Sequence, residues 1–224
     1  MTIIATNLSS VRKQIDAAAI TAGRDPQSVR LITVSKFHAA GAVHEAIGNG
    51  QRLFGENRVQ EAKEKFVSLR QEFPDIELHL IGPLQTNKTD DAVRVFDTIQ
   101  TVDRPNLADA LAKSIRKVGR TPKLYIEVNV GNEQQKAGIA PDGLGNFIAY
   151  CQDSCGLLIS GLMCIPPQGH TPDSYFATMR ELANSFSLPN LSMGMSSDFE
   201  AAIRHGATEV RVGTAIFGER PTKP

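Results

Sequence analysis

The chain has no excess of charge of one sign, no long apolar run and no cysteine framework. Lys and Arg together number 24, as do Asp and Glu, a balance that argues against a nucleic-acid protein or a membrane-surface binder. No apolar stretch reaches membrane-spanning length, and the N-terminus lacks the charged-then-apolar pattern of a signal peptide. The three cysteines, Cys151, Cys155 and Cys164, are odd in number and without framework spacing, so a reducing cytoplasm is expected. Cys151 and Cys155 stand four apart on a predicted helix with no histidine nearby to complete a zinc site. Buried thiols and no metal are the expectation.

What is present fits a globular protein. A length of 224 residues, with 41% hydrophobic and 21% charged residues, allows a substantial core in one domain. No linker or low-complexity tract divides it, and residues 1–224 are expected to form a single domain. Short β-rich runs recur at 29–36, 52–57, 77–82, 98–103, 123–130, 157–166, 191–196 and 209–217, each bounded by Gly, Pro, Asn or Asp. Helical periodicity fills the intervals. Val59, Ala62, Phe66, Leu69 and Phe73 form an apolar stripe, and Leu107, Leu111, Ile115 and Val118 repeat it between Pro105 and Gly119. Thr171-Pro172 opens another helix, with Phe176, Met179, Leu182, Ala183 and Phe186 on its inner face. Residues 3–22 predict a helix ahead of the first strand, with Leu8, Val11, Ile15, Ala18 and Ala22 on one side.

Eight strands alternating with helices predict a single (β/α)8 TIM barrel with an extra N-terminal helix. A Rossmann or flavodoxin-like sheet needs only five or six strands, and no G-x-G-x-x-G follows the first strand.

In such a barrel the chemistry collects where the strands end, with phosphate held after the last two. Lys36 closes the first run. A lysine stem buried there presents an amine that desolvation makes nucleophilic towards a carbonyl, whereas most strand-end lysines simply reach solvent. Asn57 follows the second run, and Gly55-Glu56-Asn57 either caps the next helix or lets Asn57 donate to a ligand ring oxygen. Ser196 and Ser197 precede a helical pattern at Phe199, Ala202 and Ile203. Their hydroxyls and N–H groups suit an anion, while Ser197 or Asp198 alternatively only caps that helix. Gly213-Thr214 makes a similar turn in the neighbouring loop. Arg211 either points into the barrel mouth as a permanent donor or pairs with Glu127. His79 reads as a packed, hydrogen-bonded histidine, Gln85, Asn87 and Lys88 as solvated, and Lys113, Arg116, Lys117, Arg120 and Lys123 as a solvated helix end.

Several segments taken together carry a resemblance: VSK at 34–36, FGENRVQEAKEK at 54–65, HLIGPLQTNK at 79–88, GLMCIPP at 161–167 and LSMGMSSDFEAAIRHGATEVRVGTAIFGER at 191–220. The chain resembles the YggS/PROSC family of pyridoxal phosphate homeostasis proteins over nearly its whole length. The absence of tryptophan and the QQKAG stretch at 134–138 touch only variable surroundings. The resemblance implies the barrel of the alanine racemase N-terminal domain, with pyridoxal 5'-phosphate held by Lys36 as a Schiff base. It implies that Ser196, Ser197, Gly213 and Thr214 hold the phosphate, that Arg211 faces the pyridine nitrogen and Asn57 the ring side, and that Met193 and Met195 shape the pocket wall. Lys136 is a surface or secondary cofactor contact on the same basis. The function implied is cofactor buffering and delivery to apoenzymes by a cytoplasmic monomer with little or no catalysis.

Two enzymatic alternatives stand beside it. An amino-acid racemase needs acid–base groups on both substrate faces. In the racemases one of them comes from a second β domain, which this sequence is not expected to contain. A Schiff-base aldolase acting on a phosphorylated sugar would also use a barrel lysine, but from a later strand.

Overall fold

The computed structural model describes residues 2–167, 169 and 171–219. Its strands are β1 Arg30–Val34, β2 Leu53–Glu56, β3 Glu77–Leu80, β4 Thr98–Val102, β5 Lys123–Val128, β6 Ile159–Cys164, β7 Asn190–Ser192 and β8 Glu209–Val212. Each pairs in parallel with the next, and β8 pairs with β1 to close the barrel. The helices are α1 Ile3–Thr21, α2 Ala40–Gly48, α3 Val59–Glu72, α4 Thr89–Val95, α5 Pro105–Val118, α6 Leu144–Ala149, α7 Asp173–Ser185, α8 Phe199–Arg204 and α9 Thr214–Phe217.

Local chemistry explains the helix limits. The Thr2 hydroxyl accepts from Ala5 N–H at the start of α1, and Pro105 opens α5 where no N–H is needed. Gly119 ends α5 in the left-handed conformation. The apolar stripes face inwards as expected: Val59, Ala62, Phe66 and Leu69 of α3, Leu107 and Leu111 of α5, and Phe176, Met179 and Ala183 of α7 are buried.

Strand alternation divides the interior into two cores. Phe54, Leu78, Leu80, Ile99, Leu124, Ile126, Leu162, Leu191, Val210 and Val212 join the helix-facing apolar cluster. Registers place Arg30, Ile32 and Val34 beside Glu209, Arg211 and Gly55, on the inner face. His79, Tyr125, Met163 and Ser192 share that face through the same ladder. The barrel lumen is therefore polar at many positions, while the shell outside it is apolar.

The strand ends differ from the sequence expectation in an instructive way. The first run stops at Val34, two residues short of Lys36, and the eighth stops at Val212 instead of 217. VGTAIF is apolar enough to read as strand. However, the Gly213 carbonyl accepts from both Ile216 N and Phe217 N, which starts α9. The seventh run ends at Ser192 because Gly194 turns the chain at φ 90, where an added Cβ would stand 2.6 Å from Ala202 Cβ. The seventh helix begins at Asp173, with Pro172 at its N-cap position.

Phe54 is wholly buried in the helix-facing core. Phe54→Ala is expected to lower unfolding free energy by about 3–5 kcal/mol. Ile3→Ala, at an exposed position, is expected to stay within about 0.5 kcal/mol, both read from urea denaturation.

Candidate functional site at the barrel mouth

A cavity of about 310 Å³ opens where the strands end, lined by Lys36, Asn57, Met195, Ser196, Ser197, Arg211, Gly213 and Thr214 together with Val34, His38, Ile81, Ile165 and Gly218. Closure of β8 on β1 brings the first and last segments of the chain to one wall. A larger groove of about 740 Å³ shares Met195, Ser196 and Ser197 with this cavity and runs out past Asp173 and Arg204.

Met193 does not line the cavity. Alternation turns Ser192 into the lumen and sends Met193 outwards, where it is fully buried in the helix-facing core. Lys136 is also not among the lining residues: it pairs with Glu133 and donates to the carbonyl of Pro166, next to the lining residue Ile165.

Arg211 is 4% exposed, with Nη1 donating to Ser192 Oγ at 2.8 Å and Nη2 to the Cys164 carbonyl at 2.7 Å. Both partners are uncharged, so neither neutralises the buried guanidinium. The alternative pairing with Glu127 is not what holds it. From Ser192 a relay runs down the lumen. Its hydroxyl donates to Gln100 Oε1 at 2.7 Å, and Gln100 Nε2 donates to Glu209 Oε2 and His79 Nδ1, each at 2.9 Å. His79 Nε2 donates to Glu77 at 2.8 Å, which with Arg30 holds that carboxyl down at about 2. His79 is thus a packed, hydrogen-bonded residue, as its sequence context indicates.

Around the phosphate-suited turns, the N–H groups of Ser196 and Ser197 donate to no protein oxygen among the described residues. Asp198 occupies the N-cap position of α8, but its carboxylate accepts from Met195 N–H at 2.6 Å instead of capping the helix. The Asn57 side-chain oxygen is buried without a partner. Gly82 lies so close beneath it that a Cβ there would come 2.4 Å from the Asn57 carbonyl.

Several contributors were not visible in the sequence reading. His38 lines the cavity and stacks on Phe217 with ring centroids 4.8 Å apart. Burial, then the Lys65 charge, lowers its imidazole from the ordinary value. Glu56 is not a helix cap: it is fully buried and accepts from Ser35 Oγ and Lys65 Nζ. The i,i+4 spacing of Glu61 and Lys65 was the available signal. All three cysteines are buried free thiols, and no metal-binding group of side chains occurs among the described residues.

These features can be set beside known proteins. The family model described as alanine racemase, N-terminal domain, matches residues 6–221. A pyridoxal phosphate homeostasis protein from Aquifex aeolicus is 40% identical, covering 95% of this chain and 96% of the relative. One from Escherichia coli K12 is 39% identical, with 98% of each covered. The chain belongs to the alanine racemase N-terminal domain family and, within it, to the pyridoxal phosphate homeostasis proteins. The structure of PipY from Synechococcus elongatus PCC7942 with PLP bound superposes with a TM-score of 0.82 at 40% identity, covering 96% of this chain and all of that one. Alanine racemase from Corynebacterium glutamicum, at 18% identity and a TM-score of 0.67, shares the fold, and the match covers 61% of that chain.

Glu127 provides a test of the mouth's electrostatics. Burial, then the Asp103 charge, pushes its carboxyl up to about 7 from 4.5, and Arg211 pulls it partly back. A carboxyl raised in the folded state binds its proton more tightly folded than unfolded. Its contribution is therefore present below pH 4.5 and is lost as pH rises to about 7. Glu127→Gln is expected to flatten the fall in stability across that window, measured by denaturation at a series of pH values.

Proposed function

We propose that this chain binds pyridoxal 5'-phosphate in the mouth cavity, buffers it, and delivers it to apoenzymes with little or no catalysis of its own. The observation that carries the reading is the sharing of one cavity by Lys36, Arg211, Asn57 and the two turns at Ser196-Ser197 and Gly213-Thr214. The residues present fit the group. The cavity offers an amine for an aldehyde, a buried guanidinium with only neutral hydrogen-bond partners for a ring nitrogen and, among the described residues, an amide with an unpartnered oxygen and main-chain N–H groups without a protein acceptor for a phosphate. PipY, a relative with 40% identity, has a structure with PLP bound, which supports pyridoxal phosphate as the ligand.

When bound, pyridoxal phosphate supplies an electrophilic aldehyde on an electron-withdrawing ring. Lys36 would hold the aldehyde carbon covalently, and Asn57 would orient the ring from one side. Ser196, Ser197, Gly213 and Thr214 would hold the phosphate, and Met195 would form part of the wall. Arg211 is a permanent donor and would give a ring nitrogen a hydrogen bond without giving up its proton. That arrangement would weaken the ring as an electron sink.

Residues 1–224 would act as one barrel domain and as a monomer. The exposed large apolar side chains among the described residues are Ile3 and Ile20 towards opposite ends of α1, Val67 on α3, and Phe37, Leu158 and Ile165 in loops. Among the described residues no helix is long and apolar enough to cross a membrane. Together with the buried free thiols, this is compatible with a cytoplasmic site of action.

Mixed with pyridoxal phosphate, the purified protein is expected to turn yellow, to racemise no alanine, and to reactivate a pyridoxal-phosphate apoenzyme. Lys36→Ala is expected to lose the colour and to weaken retention by about a hundredfold or more, ~2.7 kcal/mol. A colourless wild-type protein would remove the cofactor reading, and sustained racemisation would replace the carrier with an enzyme.

A further inference from the structure

A cluster of charges outside the mouth cavity, buried at Glu56 and Lys65 and partly exposed at Glu61, grips the chain on both sides of Lys36. Ahead of it, the Ser35 carbonyl accepts from Lys65 Nζ at 2.8 Å, and the Ser35 hydroxyl donates to Glu56 Oε1 at 2.7 Å. Behind it, Phe37 N–H donates to Glu61 Oε1 at 2.6 Å. Lys65 Nζ joins the two sides, donating to Glu56 Oε1 at 2.8 Å and to Glu61 Oε1 at 3.1 Å. Neither Glu56, Glu61 nor Lys65 lines the cavity.

The arrangement does more than fasten α3 to the barrel. The Glu56–Lys65 pair, both partners buried, is enough for that. The bond from Glu61 reaches the loop immediately after Lys36, at a residue held at φ 67. A bulky aromatic side chain rarely occupies that left-handed region, so the conformation persists only where surrounding contacts impose it. An ammonium has three N–H donors, and all three of Lys65 point at oxygens of this cluster. Lys65 is therefore engaged as an anchor through all three donors.

We infer that Glu61 is a positioning residue, which fixes the turn at Phe37 and so aims the Lys36 amine into the mouth cavity. The inference rests on the cofactor reading above. Its basis is geometric: residues 35 and 37 are both tied, to one connected set of charges, and the residue between them is the only one of the three that lines the cavity.

The test is the rate at which the visible absorbance of the protein–pyridoxal phosphate adduct grows in stopped flow, with thermal unfolding followed in parallel. Glu61→Ala removes the acceptor from Phe37 N–H and is expected to slow capture by about tenfold, as misaimed reacting groups do. Glu61→Gln keeps an oxygen at that position and is expected to restore the rate to within about twofold. Capture by Glu61→Ala at the wild-type rate would overturn the positioning role, whatever its effect on melting. Should Glu61→Ala fail to fold, Glu61→Asp decides. It keeps the charge for Lys65 but is one methylene too short for Phe37 N–H, so slow capture supports the role and wild-type capture overturns it. A wild-type protein that forms no adduct would instead remove the cofactor reading on which the inference stands.

Discussion

The pairing of β8 with β1 is the constraint on which the site depends. Its register sets Arg30 beside Glu209 and Ile32 beside Arg211, which places Arg211 and Lys36 on the same inner wall from opposite ends of the chain. Side chains alternate along a strand, so a slip of one residue would send Arg211 into the helix-facing shell and bring Val210 or Val212 into the lumen. The Arg30 salt bridge to Glu209 reinforces that register from the far end of the lumen. The mouth cavity is thus a product of barrel closure, and no single segment contains it.

The polar lumen shows how such a site is kept stable. A buried charge that lost one partner would be costly, yet each polar group from Arg30 to Arg211 has a partner in the relay through Glu77, His79, Gln100, Glu209 and Ser192. Tyr125 adds a further donor to Glu209 at 3.2 Å. Outside that relay, buried side-chain atoms without a partner among the described residues occur at both ends of the barrel: Thr98 Oγ1 at the start of β4, and Asn57 Oδ1 at the mouth, where Arg211 has only neutral hydrogen-bond partners.

Much of this was legible in the sequence, because period and spacing are local. Eight β-rich runs with helical stripes between them give the barrel and its inner and outer faces, and the rim residues follow from the strand ends. Strand ends themselves were less legible: Gly213 and Gly194 end their strands through turns whose hydrogen bonds involve residues further on. Met193, which the resemblance assigns to the pocket wall, is instead buried in the helix-facing core, because side chains alternate past Ser192. The Glu61/Lys65 spacing hints at the cluster around Lys36, but Glu56, Glu61 and Lys65 meet Ser35 and Phe37 only once β2 pairs with β1 and α3 packs on β2. The family resemblance supplied the cofactor, which no periodicity could have named.

The central claim is that Lys36, among all the lysines of the chain, is the residue that holds the cofactor. Reduction of the pyridoxal phosphate complex with borohydride, followed by proteolysis and mass mapping, addresses it directly. The account predicts a stable pyridoxyl label on Lys36 alone. A label on Lys65 or Lys136, or one spread across surface lysines with Lys36 unmodified, would contradict it.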